Sequence, residues 1–399
     1  MNQKFLTGQA VILAAGKGTR LVPLTETSPK PILKVAGTTI LEHNLEQLQG
    51  IVTEVFIIVG HRAELIKEKI GNKYKKIKIK YIVQKEQLGT GDAAKMASKF
   101  IKNKFLLLNG DDLYNKNDLK KILKKQNSIL LKKVSDPFGF GQILVKNGFV
   151  KEIKEKPAEK VSDLVNTGAY FLDKTIFEYK IQKSEREEYE FTDYIKNFIK
   201  DKKLNFVLAE NWMPISYAWN LLDANEFLLK KIKKEIKGRV EKNATIKGRV
   251  FVGKRTTIKN GSYIEGPVYI GENCDIGPNC YIRPFTAIFN NCHIGQAVEI
   301  KNSIINEKTN IAHLSYVGDS VIGGNCNLGC GTIITNLRHD FDNIKSEIKG
   351  ELIDTKRKKF GAVIGDFVKT GSGTIIYPGR KIWPNKITMP AEIVKKDIK

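Results

Sequence analysis

The chain has 399 residues, 41% of them apolar and 28% charged, which suits a globular protein large enough for two domains. It contains no run of 18 or more apolar residues, so no membrane partner is expected. Its formal charge of +24 is spread over both halves, as in Lys73-Tyr74-Lys75-Lys76 and Lys230-Lys231, with no recognised nucleic-acid motif. That pattern fits a lysine-rich surface with sites for anionic substrates rather than a nucleic-acid footprint.

The amino terminus, MNQKFLTGQAVILAAG, lacks the order of a signal peptide, and a cytoplasmic protein is expected. A first buried strand over Gln9 to Leu13 runs into AVILAAGKGTRLVPLTETSPKPILKVAG. Small residues and Gly16-Lys17-Gly18 allow a backbone to approach phosphates closely, and Arg20 and Lys30 add cations that balance a polyphosphate. The spacing is neither that of a Walker loop nor that of a dinucleotide-binding GxGxxG. Val55 to Gly60, Ile79 to Val83 and Phe105 to Leu108 read as further buried strands, with a helix from about Arg62 to Ile70 between the first two. This alternation predicts a mostly parallel Rossmann-like sheet with helices on both faces. Asn109-Gly110-Asp111-Asp112 then falls at the carboxyl end of a strand, where open α/β sheets bind ligands.

GxGTRLxPLT followed by PKP resembles the sugar-1-phosphate nucleotidylyltransferase family, and later segments agree with it. The resemblance implies that Leu13, Ala14, Ala15 and Gly16 line the nucleotide site and that Arg20 and Lys30 are catalytic. Gln84 to Ala93 looks like the family's base-binding loop, in which Gln84, Gly89 and Thr90 meet the pyrimidine; an amide offers both donor and acceptor. Asp111 resembles the magnesium-binding aspartate, and a hard cation there relieves repulsion between two phosphates. Phe138-Gly139-Phe140-Gly141, Glu155-Lys156-Pro157 and Asn166-Thr167-Gly168 match the sugar-binding elements. Gly141, Glu155 and Asn166 would face the hydroxyls, and Lys156 the sugar phosphate. Glu190-Phe191-Thr192-Asp193 is similar to an ExTD helix start, with capping by Thr192 or Asp193 expected. Relatives carry an aspartate after a tryptophan as a second metal ligand. Here the stretch is Trp212-Met213-Pro214-Ile215-Ser216, so Asn220 or Asp223 is left to substitute.

Trp219 to Lys237 reads as an amphipathic linker helix capped by Gly238. The expected domains are therefore residues 1–237 and 238–399. From Val252 an aliphatic residue recurs every six positions: Ile258, Ile264, Ile270, Ile276, Ile282, Ile288, Ile294 and Ile300. After a five-residue step come Ile305, Ile311 and Val317, and after another Ile322, Leu328 and Ile334. A period of six fits neither helix nor simple strand; it is the repeat of a hexapeptide β-helix. The beat stops from Thr335 to Phe360, a basic stretch of 26 residues, then resumes at Ile364, Thr370, Ile376, Ile382 and Thr388. Cys274, Cys280, Cys292 and Cys326 each fall four residues after a core aliphatic and are expected to be packing residues. No CxxC pair suggests a zinc site.

These hexads resemble the left-handed parallel β-helix of acyltransferases, whose members form trimers with sites between subunits. His313-Leu314-Ser315-Tyr316-Val317-Gly318-Asp319 is similar to the family's HxxYxGD. The resemblance makes His313 the general base for acetyl transfer to an amino sugar, a task suited to imidazole. It also places Arg283 and Lys301 at the sugar phosphate, Tyr316 and Asn336 at the substrate, Cys330 and Ser372 at acetyl-CoA, and Asn327 among the residues that bind substrate or acetyl-CoA. Lys345, in the long insert, is expected to reach an adjacent site and hold phosphate. His293 is the ordinary surface histidine.

Taken whole, the fold class is α/β plus β, and the chain resembles the bifunctional sugar-1-phosphate nucleotidylyltransferase/acetyltransferase family of archaeal type. The resemblance implies an enzyme that uses acetyl-CoA, UTP, an amino-sugar-1-phosphate and Mg2+ to make UDP-N-acetylglucosamine. It also implies a homotrimer or a dimer of trimers. Two alternatives stay open: a thymidylyltransferase using dTTP and glucose-1-phosphate, with or without amino-sugar acetylation, and a non-catalytic regulatory homologue.

Overall fold

The computed structural model describes residues 8–399, so the first seven residues of the stretch that reads as lacking a signal peptide lie outside the described residues. The chain forms two compact units. One holds the described residues up to Lys17, Pro29–Ile32 and Ile40–Pro214; the other holds Gly18–Ser28, Leu33–Thr39 and Ile215–Lys399.

The first unit is built on a ten-stranded sheet. Its strands are β1 (Gln9–Ala14), β2 (Glu54–Val59), β3 (Lys73–Tyr74), β4 (Ile77–Val83) and β5 (Lys104–Asn109), then β6 (Ser128–Lys133), β7 (Gln142–Lys146), β8 (Phe149–Lys154), β9 (Leu164–Asp173) and β10 (Asn205–Leu208). Their spatial order is β3-β4-β2-β1-β5-β9-β6-β10-β8-β7. β1 pairs in parallel with β2 and β5, and β2 with β4, while β9 runs antiparallel to β5. Side chains of β1 alternate between two cores: Ala10, Ile12 and Ala14 enter one, and Val11 enters the other. A strand covered on both faces must be apolar at every position, which explains its unbroken hydrophobic run. Because β1, β2, β4 and β5 are parallel, the loops after them leave the sheet at one edge. Gly16, Gly60, Gln84 and Asp111 all lie in those loops.

In the second unit three parallel sheets of eight, seven and eight strands stack the hexads, consistent with the expected left-handed β-helix. Successive coils bring Ile258 beside Ile276 and Ile276 beside Ile294, and each of these side chains is fully buried. One inward aliphatic per short strand is therefore enough to fill the prism, and stacking neighbours closes its core. Cys274, Cys280, Cys292 and Cys326 are buried, as expected of packing residues, and Cys330 is exposed. Burial pushes the Cys326 thiol up to about 12 and raises that of Cys280. A thiol reagent is expected to modify only Cys330 in the folded protein and all five cysteines after denaturation, as counted by intact-mass measurement.

Two features differ from the sequence expectation. The linker helix spans only Asn220–Leu229, and Glu235–Ile236 is already a β-helix strand paired with Phe251–Val252. Lys237 N–H donates to the Val252 carbonyl at 2.9 Å, so the first coil takes up backbone groups that a longer helix would leave unpaired. Gly238 accordingly follows a strand, where an added Cβ would run into the Thr256 carbonyl. The insert after Ile334 is the second difference, because it carries an antiparallel hairpin, Lys345–Ile348 with Glu351–Asp354. Its ends close where Phe360 N–H donates to the Asn336 carbonyl at 3.0 Å, and stacking continues with Ile364 beside Ile322.

The two five-residue steps, Ile300 to Ile305 and Val317 to Ile322, turn the same corner of the prism in successive coils. The insert leaves that corner one coil later. Asn302 and Asp319 occupy the two shortened turns with φ of 45° and 48°, in the left-handed region that asparagine and aspartate tolerate.

Candidate functional site

In the first unit, Lys30 and Asp111 meet at 2.6 Å (Nζ to Oδ2), with the lysine buried and the carboxylate 40% exposed. Gly110 brings Asp111 close to β1: its N–H donates to the Leu13 carbonyl at 2.8 Å, and an added Cβ would stand 2.7 Å from that oxygen. Ala14 and Ala15 are buried, whereas Gly16 is exposed with open space around its Cα, which leaves room for a ligand against the backbone.

The loop after β4 is held from within. Gln84 Nε2 donates to Asp92 Oδ2 at 2.8 Å and to the Gly89 carbonyl at 3.3 Å, and among the described residues its Oε1 has no donor. Thr90 Oγ1 accepts from Phe191 N–H at 3.0 Å, and its hydroxyl hydrogen can still donate. Gln87, which sequence reasoning passed over, ties this loop to the backbone after β1 through Nε2 to the Ala15 carbonyl at 2.8 Å.

Gly141, Glu155, Lys156 and Asn166 are brought together. Asn166 N–H donates to the Gly141 carbonyl at 2.8 Å, and a Cβ on Gly141 would stand 3.1 Å from Glu155 Oε2. Lys156 Nζ lies 3.7 Å from Glu155 Oε1. Arg186 stands 3.6 Å from Glu155 and pairs with Glu190. Burial raises the Glu190 carboxyl, and Arg186 opposes that rise. Glu190 is the N-cap residue of the helix Phe191–Asp201 without a side-chain cap, so capping by Thr192 or Asp193 does not occur. Asp193 pairs instead with Lys196 at 2.8 Å.

Arg20 belongs to the other compact unit, where its guanidinium carbon lies 5.3 Å from the centre of the Tyr217 ring. The two substitutes for a second metal ligand are engaged in that unit as well. Asn220 Oδ1 accepts from Ser216 and Tyr217 N–H at 3.2 and 3.0 Å, and Asp223 is paired with Arg357. Among the described residues no three His, Cys, Asp or Glu side chains group as a metal site. The donor set is therefore one exposed hard oxygen, that of Asp111. It fits magnesium, an ion commonly held by one or two carboxylates together with substrate phosphates and water.

In the β-helix, Lys301, Tyr316 and Asn336 gather about a single buried carboxylate, Asp319, whose side chain is 3% exposed. Lys301 Nζ reaches Asp319 Oδ2 at 2.9 Å, Asn302 Nδ2 reaches Oδ1 at 2.7 Å, and Asn336 Nδ2 reaches Oδ2 at 2.5 Å. Asn336 Nδ2 also donates to Tyr316 Oη at 3.2 Å, so its own Oδ1 faces no protein donor among the described residues. Burial, then the Asp319 charge, raises the Tyr316 phenol and keeps it a proton donor. Arg283 pairs with Glu299 at 2.8 Å, and Glu299 stands in register with Tyr316. His313 lies on the adjacent sheet, in register with Gln296; it is exposed and its imidazole has no partner among the described residues. Gly331 N–H donates to the His313 carbonyl at 3.3 Å and Gly373 N–H to the Cys330 carbonyl at 2.7 Å, so His313, Cys330 and Ser372 follow one another down successive coils. Asn327 is exposed on the same sheet. Lys345 sits on a hairpin fastened to its own chain, where Ser346 Oγ donates to the Gly379 carbonyl at 2.9 Å. From the far end of the insert Arg357 also comes beside Asp319, with Nη2 at 3.9 Å.

Residues 9–231 match the model of the nucleotidyl transferase family, and residues 264–398 match the GMPPB C-terminal domain. The "Bifunctional protein GlmU" of Methanococcus maripaludis (strain C7 / ATCC BAA-1331) is 46% identical, over 98% of this chain and 95% of its own. The chain belongs to the bifunctional GlmU family. Another relative, the "Bifunctional sugar-1-phosphate nucleotidylyltransferase/acetyltransferase" of Sulfurisphaera tokodaii, is 40% identical over 98% of each chain. A solved structure titled as a putative glucose-1-phosphate thymidylyltransferase from Bacillus anthracis is similar with a TM-score of 0.52 and 26% identity. It covers 57% of this chain and 98% of its own.

For a GlmU-family chain, the residues that sequence reasoning missed are those that hold others in place: Gln87, Arg186 and Asp319, and also Asn109. Gly168, with φ of +74°, leaves the space that the Asn109 side-chain amide fills. Asp319 carried a signal, since it closes HxxYxGD at a shortened hexad, and Gln87 and Asn109 lie within stretches already singled out, whereas Arg186 carried none.

Proposed function

We propose that this GlmU-family chain makes UDP-N-acetylglucosamine in two steps, acetylating glucosamine-1-phosphate and then transferring a uridylyl group to the product. The observation that carries the reading is the pair of separate constellations, Lys30–Asp111 at the carboxyl edge of a parallel sheet and the Asp319 cluster of the β-helix. In the acetyl step the sugar amine attacks the thioester carbonyl carbon of acetyl-CoA. His313 takes the amine proton, the C–S bond breaks, and coenzyme A leaves as a thiolate that is then protonated. Arg283 and Lys301 hold the sugar phosphate, Tyr316 and Asn336 orient the sugar, Cys330 and Ser372 line the path of acetyl-CoA, and Asn327 contacts one of these two substrates. An imidazole this exposed is completed by a neighbouring subunit, in a homotrimer or dimer of trimers, with Lys345 offered to that neighbour.

In the uridylyl step an oxygen of the sugar phosphate attacks the α-phosphorus of UTP, the bond to the β-phosphate oxygen breaks, and pyrophosphate departs. Lys30 and Arg20 balance the charge, and the backbone from Leu13 to Gly16 lies along the phosphates. Gln84 Oε1 accepts from the pyrimidine N3–H, with Gly89 and Thr90 as its companions. Gly141, Glu155 and Asn166 meet the sugar, with Lys156 toward its phosphate. Magnesium, held by Asp111, would relieve repulsion between the two phosphates. The protein acts in the cytoplasm, where these substrates are found.

The test is a purified-protein assay crossing UTP and dTTP with glucose-1-phosphate and N-acetylglucosamine-1-phosphate, beside an acetyl-CoA assay with glucosamine-1-phosphate and galactosamine-1-phosphate. Preference for UTP with N-acetylglucosamine-1-phosphate and acetylation of glucosamine-1-phosphate supports the reading. Preference for dTTP with glucose-1-phosphate replaces it by a thymidylyltransferase, and no turnover of any pair replaces it by a regulatory homologue.

A further inference from the structure

In the sequence Arg357 is one more basic residue of the insert, yet its side chain is only 17% exposed. One guanidinium nitrogen, Nη1, pairs with Asp223 of the helix Asn220–Leu229, and the other, Nη2, lies 3.9 Å from Asp319 Oδ1. Its Nε donates to the Lys359 carbonyl at 3.3 Å, and its own carbonyl accepts from Ile344 N–H at 2.9 Å. Nε and Nη1 are thus fixed by hydrogen bonds while Nη2 stays within ion-pair distance of Asp319, a fork that a planar guanidinium can make and an ammonium cannot.

Asp319 is the group that arranges the acetyl site. A buried carboxylate must be compensated, and here the compensation comes from Lys301, Asn302, Asn336 and Arg357 together. Lys301 has two tasks in this arrangement, to neutralise Asp319 and to bind a sugar phosphate. A second cation beside Asp319 lets Lys301 turn part of its charge outward. Remove that cation, and Lys301 and the Asn336 amide are drawn more tightly onto the carboxylate.

We propose that Arg357 is a positioning residue for the acetyltransferase site: bridging Asp223 and Asp319, it frees Lys301 and Asn336 to bind the phosphate and hydroxyls of the amino-sugar phosphate. The inference rests on the acetyltransferase reading given above. It assigns Arg357 to binding of the sugar phosphate and not to proton transfer or to acetyl-CoA.

Steady-state acetyl transfer by the full chain tests it, with wild type, Arg357→Met, Arg357→Lys, Asp223→Asn and His313→Ala measured side by side. Arg357→Met is expected to raise KM for the amino-sugar phosphate by about tenfold, with kcat and KM for acetyl-CoA within about twofold of wild type. Arg357→Lys restores part of the loss, and Asp223→Asn shifts the same KM in the same direction by less. Should Arg357→Met fail to fold, the Arg357→Lys and Asp223→Asn shifts decide the matter. An active wild type and an inactive His313→Ala, with KM for the sugar phosphate unmoved in all three other variants, overturns this inference alone. A wild type that transfers no acetyl group overturns the reading beneath it. A fall in kcat with KM unchanged also refutes the proposal, because it would mark a general distortion of the site.

Discussion

Replacing His313 by alanine is expected to lower acetyl transfer by about two to four orders of magnitude, the range set by loss of a general base. The sugar amine must lose a proton as its nitrogen bonds to the thioester carbon, and His313 is the exposed imidazole three residues before Tyr316. His293, the other histidine of the β-helix strands, has its Nδ1 3.1 Å from Asp275 and is occupied there. Its replacement should leave acetyl transfer unchanged, which makes it the matched control. Pyrophosphate release should survive in His313→Ala, because no step of uridylyl transfer uses an imidazole. The measurement is coenzyme A thiol release with a chromogenic disulfide, run beside a pyrophosphate assay. Acetyl transfer that persists in His313→Ala would remove the second-site assignment.

Asp111→Asn is expected to lower pyrophosphate release by about two to three orders of magnitude while acetyl transfer continues. The substitution keeps the shape and removes the anionic oxygen offered to magnesium. It also leaves Lys30, which is buried, without its counter-charge at 2.6 Å. Both changes act on charge where two phosphates must approach. Titration with magnesium should show the residual activity saturating at higher metal concentration than in wild type. Full magnesium-dependent release from Asp111→Asn would show that this carboxylate takes no part. Lys30→Met separates the two effects, since it removes the cation and leaves the metal ligand.

Much of the fold can be read from the sequence because its two periodicities are local. A strand buried on both faces has to be apolar along its core, as Ala10 to Ala14 of β1 are. A prism with one inward side chain per short strand has to repeat every six residues, as Ile258, Ile264 and Ile270 do. The same logic places four cysteines in the core, since each occupies a repeat position that elsewhere holds threonine, serine or valine. The linker helix reads too long because Leu228, Leu229, Ile232 and Ile236 fit helical spacing, while the demand of Phe251–Val252 for a paired neighbour is invisible along the chain.

The site is legible residue by residue but not as an arrangement. Lys30 and Asp111 can each be named from motifs 81 residues apart, yet their contact exists only once Gly110 packs against Leu13. Arg357 reads as one more charge in a basic loop, and only the fold sets it between Asp223 and Asp319.

Side-chain type at short, fixed spacing was sufficient for the two architectures, so these belong to the chain as written. Which groups share a charge depended on the folded coils. The two five-residue steps and the insert all fall at one corner of the prism, and stacking three successive coils there converges Lys301, Asn302, Asn336 and Arg357 on one buried carboxylate. Coulombic and hydrogen-bond compensation act over a few ångströms of space, whatever the separation along the chain.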